Sequence, residues 1–145
     1  MTTTKTAERI NSMTPMEILD FVEKAIVEQG RASVYDCLNG KIECAYRGKD
    51  GAKCAMGVVI DDADYAPAFE GMRALDVCNS IGIVDTTKRN LLSRLQSAHD
   101  NAFREARDEY DVSFVDAFKY KVWHVRNWLN NGANPMDMRG YNEFN

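Results

Sequence analysis

Hydrophobic spacing changes several times along this chain, and each change predicts an element. Ile18, Leu19, Val22, Ala25 and Ile26 recur at the interval of one helix face, leaving Glu17, Glu23, Lys24 and Glu28 to water. Thr14-Pro15-Met16-Glu17 marks the start of this helix: Thr14 supplies the N-cap, Pro15 fits the first helical position and Glu17 completes a capping box. Gly30 ends it in the left-handed conformation. Before it, residues 1–13 open on polar Thr2-Thr3-Thr4-Lys5-Thr6 without periodicity and read as a flexible lead-in.

Between Ile42 and Ile60 the pattern predicts a β-hairpin turning at Gly48-Lys49-Asp50-Gly51-Ala52. Pairing Gly48 with Ala52 sets Tyr46 opposite Cys54, Cys44 opposite Met56 and Ile42 opposite Val58, all on one packed face. Glu43, Ala45, Arg47, Lys53, Ala55 and Gly57 then fall on the other face, and Gly51 takes the positive φ of such a loop. A two-residue Asp50-Gly51 turn would mix the faces, which argues against it. Further on, Met72, Leu75 and Cys78 line a short helix. Asp85 caps a long one with Leu91, Leu92, Leu95, Ala98, Ala102 and Phe103 as its stripe. Ser113 with Asp116 starts a last helix lined by Phe114, Phe118, Val122, Val125 and Leu129, closed by Asn131-Gly132. The expected fold is α+β: a β-hairpin or small antiparallel sheet packed by three to four α-helices in one domain over residues 14–131, with a tail at 132–145.

Composition narrows the setting. Hydrophobic residues make up 45% of the 145, enough for one core, and the 28% that are charged are mixed in sign along the chain. A formal net charge of −4 speaks against an extended nucleic-acid partner while leaving room for a local anion site. Met1 to Ser12 lacks the layout of a signal peptide, and no run of about 18 apolar residues occurs. The expectation is a cytoplasmic protein with no membrane contact. Cys37, Cys44, Cys54 and Cys78 include no Cys-x-x-Cys pair, so they are expected as reduced, packed thiols, with no metal and no cofactor.

Four groups carry candidate chemistry. Tyr46, Arg47, Lys49 and Lys53 gather basic charge around Gly48 and Gly51, a combination that suits a small anion because glycine lets backbone N–H groups approach and Arg grips two oxygens. A charged hairpin tip kept soluble is the plainer explanation. His99 lies at the edge of the long helix's stripe, with Gln96 nearby, and is expected to be half-buried and satisfied by a backbone carbonyl. Asp100, turned about 100° from it on the helix, is not expected to orient the ring. Asp61, Asp62 and Asp64 lack the glycine and distal Glu of a calcium loop and read as turn and cap residues. Trp123, Trp128, Tyr141 and Phe144 are candidates for a partner interface. No nucleophile signature is present, so no catalytic residue is assigned.

The run Cys44-Ala45-Tyr46-Arg47-Gly48-Lys49-Asp50-Gly51-Ala52-Lys53-Cys54-Ala55-Met56-Gly57 is followed by Ile60-Asp61, Tyr65, Pro67 and Glu70-Gly71, then by Leu91-Leu92, Leu95-Gln96 and His99-Asp100. This pattern resembles a group of small tailed-bacteriophage proteins, over roughly residues 16 to 103. The resemblance implies a protein made inside an infected bacterium, and no mechanism. The leading functional expectation is a non-enzymatic binding protein used in host takeover or counter-defence, which binds a host bacterial protein or sequesters a small anionic nucleotide. Two alternatives stand beside it. One is a metal-assisted nuclease or nucleotide hydrolase using His99 with Asp61, Asp64 and Arg47; the other is a virion or assembly component, possibly a homo-oligomer.

Overall fold

The computed structural model describes residues 3–137. Among them are six α-helices, α1 (Lys5–Asn11), α2 (Pro15–Gln29), α3 (Ala55–Val59), α4 (Ala74–Ile81), α5 (Thr86–Asp108) and α6 (Phe114–Asn130), and two strands, β1 (Val34–Asp36) and β2 (Ile42–Cys44). The α+β class holds, with more helices than the spacing predicts. α5 packs along α6, and α2 packs on α3, α5 and α6. Ile18, Leu19, Met56, Leu91, Leu92, Leu95 and Phe118 fill the space between them.

Local signals place the long helices where expected. The Thr14–Glu17 capping box is formed in both directions, and Gly30 closes α2 at φ 76°. Asp85 accepts from the Lys88 N–H to cap α5, and Ser113 does the same for Asp116 at α6. Charge joins the helices from their edges: Arg126 on α6 bonds Asp20 at 2.9 Å and Glu23 at 3.1 Å on α2. Lys121 and Glu105, both largely buried, meet at 2.8 Å between α6 and α5.

Two expectations are overturned. The supposed flexible lead-in contains α1, whose Thr6, Ala7 and Ile10 are buried. It is held by polar groups from distant segments, which explains its lack of an apolar period. Asp64 accepts from both the Thr6 N–H and hydroxyl at 2.8 and 2.7 Å, the Thr4 hydroxyl donates to the Ile81 carbonyl at 2.6 Å, and Arg9 donates to the Val59 carbonyl.

The Ile42–Ile60 hairpin is the second. β2 pairs instead with the upstream β1, Val34 with Cys44 and Asp36 with Ile42. The expected register survives only near the tip, where Arg47 bridges Lys53, the Gly48 N–H donates to the Ala52 carbonyl and the Cys54 N–H to the Tyr46 carbonyl. Gly51 has φ 77° as the loop requires. Beyond Cys54 the chain turns into α3, with the Cys54 sulfur accepting from the Gly57 N–H at 3.4 Å. A helix there buries Ala55, Met56, Gly57 and Val59 together, whereas a strand would leave Ala55 and Gly57 on a polar face. Tyr46, Cys54 and Met56 are in the core as expected, but Ile42 is 43% exposed and Ala45 is buried.

Gly57 is required by this packing, since a Cβ there would overlap the Tyr46 carbonyl, while Gly51 has open space around it and needs only its positive φ. Gly57→Ala is therefore expected to cost about 3 kcal/mol, and Gly51→Ala about 1 kcal/mol. Urea unfolding of the two variants checks this, and equal losses would mean that crowding at Gly57 is relieved.

Candidate functional site

Three residues of α5 form a polar node inside the protein. Ser33 and Met56, both fully buried, present backbone N–H groups that need acceptors. The Ser33 N–H donates to His99 Nε2 at 3.0 Å, and the Met56 N–H to Gln96 Oε1 at 3.0 Å. Asp100 Oδ1 then accepts from Gln96 Nε2 and from His99 Nδ1, both at 2.9 Å. Because Nε2 faces a donor, the hydrogen-bond network assigns the ring proton to Nδ1. His99 is thus fully buried and satisfied by an amide N–H, where a carbonyl was expected. Asp100 does orient the ring, against expectation. The divergence of neighbouring positions on a helix concerns the Cα–Cβ directions, and Nδ1 lies close enough to its own backbone for an adjacent carboxylate to curl round to it.

Cys44 completes the cluster: its sulfur, a His99 nitrogen and an Asp100 oxygen lie within 4.8 Å of one another. Such a trio invites a metal or nucleophile reading, and the proton positions oppose both. Nδ1, the nitrogen facing Asp100, carries hydrogen and has no lone pair for an ion, while Nε2 is turned to Ser33. Burial, then the neighbouring Asp100 carboxylate, pushes the Cys44 thiol well up, so it stays protonated and inert.

Asp100 retains 26% exposure of its side chain and looks into two hollows. The outer one, a groove of about 770 Å³ between β2 and α5, is walled by Ile42 and Phe103 and carries Lys41, Arg104, which donates to Asn101 at 2.7 Å, and Arg107, which is paired with Asp108 at 2.8 Å. The inner one, of about 140 Å³, is lined by Tyr46, Glu70, Gly71, Met72 and Gln96; Cys44 and Asp100 border both. Glu70 is itself a node. It accepts from the Tyr46 and Arg47 N–H groups at 2.9 and 3.1 Å and from the Tyr65 hydroxyl at 2.6 Å.

The sequence-predicted ligand residues are divided by this arrangement. Tyr46, Gln96 and His99 belong to the node or its inner hollow. Arg47, Lys49 and Lys53 do not. Arg47 stacks on Tyr65 at 4.5 Å, donates to the Ile60 carbonyl and bonds Asp62 at 2.7 Å; Lys49 bonds Asp36 at 2.8 Å, and Lys53 lies 3.9 Å from Asp62. Asp61 and Asp64 serve the turn and α1, and neither lines the two hollows that Asp100 borders. Lys41, Arg104, Arg107 and Asp100 went unassigned because only the fold of β2 against α5 brings them together.

On α6, Trp123 is 55% and Tyr120 54% exposed, stacked at 6.5 Å with His124 edge-on to both. Trp128, expected with Trp123 at an interface, is instead buried. Its Nε1 donates to the Asn134 carbonyl at 2.7 Å and Arg94 covers its ring, because it continues the buried stripe of Phe118, Val122 and Val125. Tyr141 and Phe144 lie outside the described residues. No family model, curated protein or solved structure matches this chain.

The buried thiols set an alkaline limit. Cys54 and Cys44 are pushed well up by burial and Cys78 to about 11, from an ordinary value of 9.0. A raised folded pKa gives stability that is complete below the unfolded value and lost as pH climbs toward the folded one. Above pH 9 each thiol is therefore expected to cost about 1.4 kcal/mol per pH unit, with the Cys78 share spent by about pH 11. Urea midpoints between neutral pH and pH 10.5 check the slope, and Cys78→Ala should make it shallower.

Proposed function

We propose that this chain is a non-enzymatic binding protein of a bacteriophage, active in the infected cell, that sequesters a small anionic nucleotide in the groove between β2 and α5. One observation carries the reading: a carboxylate held in fixed orientation by His99 and Gln96 lines a groove together with Lys41, Arg104 and Arg107. Fixed hydrogen-bonding groups in a concave, partly apolar site are what small-ligand recognition requires, and Arg107, whose paired N–H donors now hold the exposed Asp108 carboxylate, would exchange that partner for phosphate oxygens. The groove's volume, about 770 Å³, is in the range of small-molecule sites. Retention without turnover is supported by a His99 whose ring acceptor is already engaged by the Ser33 N–H and by a Cys44 thiol that burial pushes up.

Calorimetry with nucleoside triphosphates tests this. Lys41→Ala and Arg107→Ala are each expected to weaken binding roughly tenfold, with no product formed by the wild-type protein. Arg47→Ala and Lys53→Ala should leave affinity unchanged once folding is verified. Loss confined to the latter pair would return the site to the hairpin tip.

A specific observation also favours a protein partner, the other form of the same hypothesis. Exposed, mutually stacked Tyr120 and Trp123 provide rigid aromatic area of the kind that anchors interfaces. If they do so, a host protein recovered with tagged wild-type chain from infected cells is lost on Trp123→Ala while the groove variants retain it. Native mass spectrometry showing self-association abolished by the same substitution would favour an assembly component instead.

A further inference from the structure

The two hollows that meet at Cys44 and Asp100 differ in charge. Lys41, Arg104 and Arg107 border the outer groove, along with Glu43, whose carboxylate is bonded by the Tyr35 hydroxyl at 3.0 Å. The inner hollow has no cationic residue among its described lining; its only charged groups are Asp100 and Glu70. At about 140 Å³ it has room for the edge of one ring and not for a phosphate chain, which the two carboxylates would also repel. Tyr46 and Met72, joined by a hydrogen bond from the Tyr46 hydroxyl to the Met72 carbonyl, are among the residues that line it.

Asp100 is also restricted in how it recognises a ligand. Its Oδ1 accepts from Gln96 and His99, and the carboxylate also takes a hydrogen bond from the Cys44 thiol, which leaves about one of a carboxylate's four acceptor positions for a guest. An ionised carboxylate only accepts. A group that donates there is held, while a carbonyl oxygen in the same place sets two acceptors against each other.

From this polarity we infer that the site takes its nucleotide base-first and selects an amino-bearing base, with the exocyclic amine against Asp100 and the phosphates outward among Lys41, Arg104 and Arg107. The inference rests on the nucleotide reading of the groove and adds the orientation and the class of base. It also separates two roles. Asp100 sets which base is accepted, and the rim cations set how strongly any nucleotide is held.

Calorimetry on the full chain with ATP against ITP, and CTP against UTP, tests it, since each pair differs by an amine replaced with a carbonyl at constant charge. The amino member is expected to bind about tenfold or more tightly. Asp100→Asn, which can turn an N–H toward the hollow, should erase or reverse that ratio, and Arg107→Gln should weaken both members of a pair equally. Equal affinities within both wild-type pairs would overturn the inference and leave the groove reading standing. So would a preference that persists unchanged in folded Asp100→Asn. Absence of binding by all four nucleotides would remove both readings. Should Asp100→Asn fail to fold by circular dichroism, the wild-type pair ratios and the Arg107→Gln ratio decide.

Discussion

Two backbone amides deep in the protein, those of Ser33 and Met56, have no partner in any helix or strand ladder, and both are satisfied by side chains of α5. An unmet buried N–H costs about 1–3 kcal/mol, so α5 must carry acceptors on a face that otherwise packs leucines. Gln96 and His99 meet that need, and Asp100 takes up the hydrogens they have left. The node thereby fixes three things at once: where the chain leaves α2 to begin the ribbon, where α3 starts, and which way the Asp100 carboxylate faces. The candidate site exists because this structural requirement leaves the Asp100 carboxylate partly exposed at the groove.

The residues that give the chain its distinctive motif answer a similar need. Glu70 holds the Tyr46 and Arg47 amides, Gly57 lets α3 close against the Tyr46 carbonyl, and Arg47 bonds the Ile60 carbonyl while lying on Tyr65. Basic residues that look poised for a ligand are here the fasteners of an irregular loop. A two-stranded ribbon is marginal alone, and the segment between β2 and α4 is kept in shape by these contacts more than by regular structure.

What the sequence disclosed followed how locally each feature is determined. The cap at Thr14, the left-handed Gly30 and the stripes of α5 and α6 are set by residues within a few positions of one another, and they were legible. α1 was not, because Thr6 and Arg9 are held by Asp64 and Val59, more than 45 residues away. α3 reads as a strand in the sequence because the nearly unbroken apolar run from Cys54 to Ile60 suits either form, and its short length offers no period to decide. Trp128 was legible and missed: it lies three positions after Val125 on the same buried stripe. His99 was placed on the right face, yet its partner Ser33 comes from the loop after α2, beyond any local rule.

α1 has a consequence for the order of assembly. Its fastenings reach forward to Val59, Asp64, Ile81 and Lys88, whose ammonium bonds the Ile10 carbonyl at 3.0 Å. During synthesis, then, α1 leaves the ribosome before the residues it docks on and has nothing to hold it until most of the domain has followed. Closing so long a loop is entropically costly, and seven residues make a poor helix by themselves. The opening segment is thus expected to be the last to lock, and the surface it covers stays open to chaperones and proteases until it does.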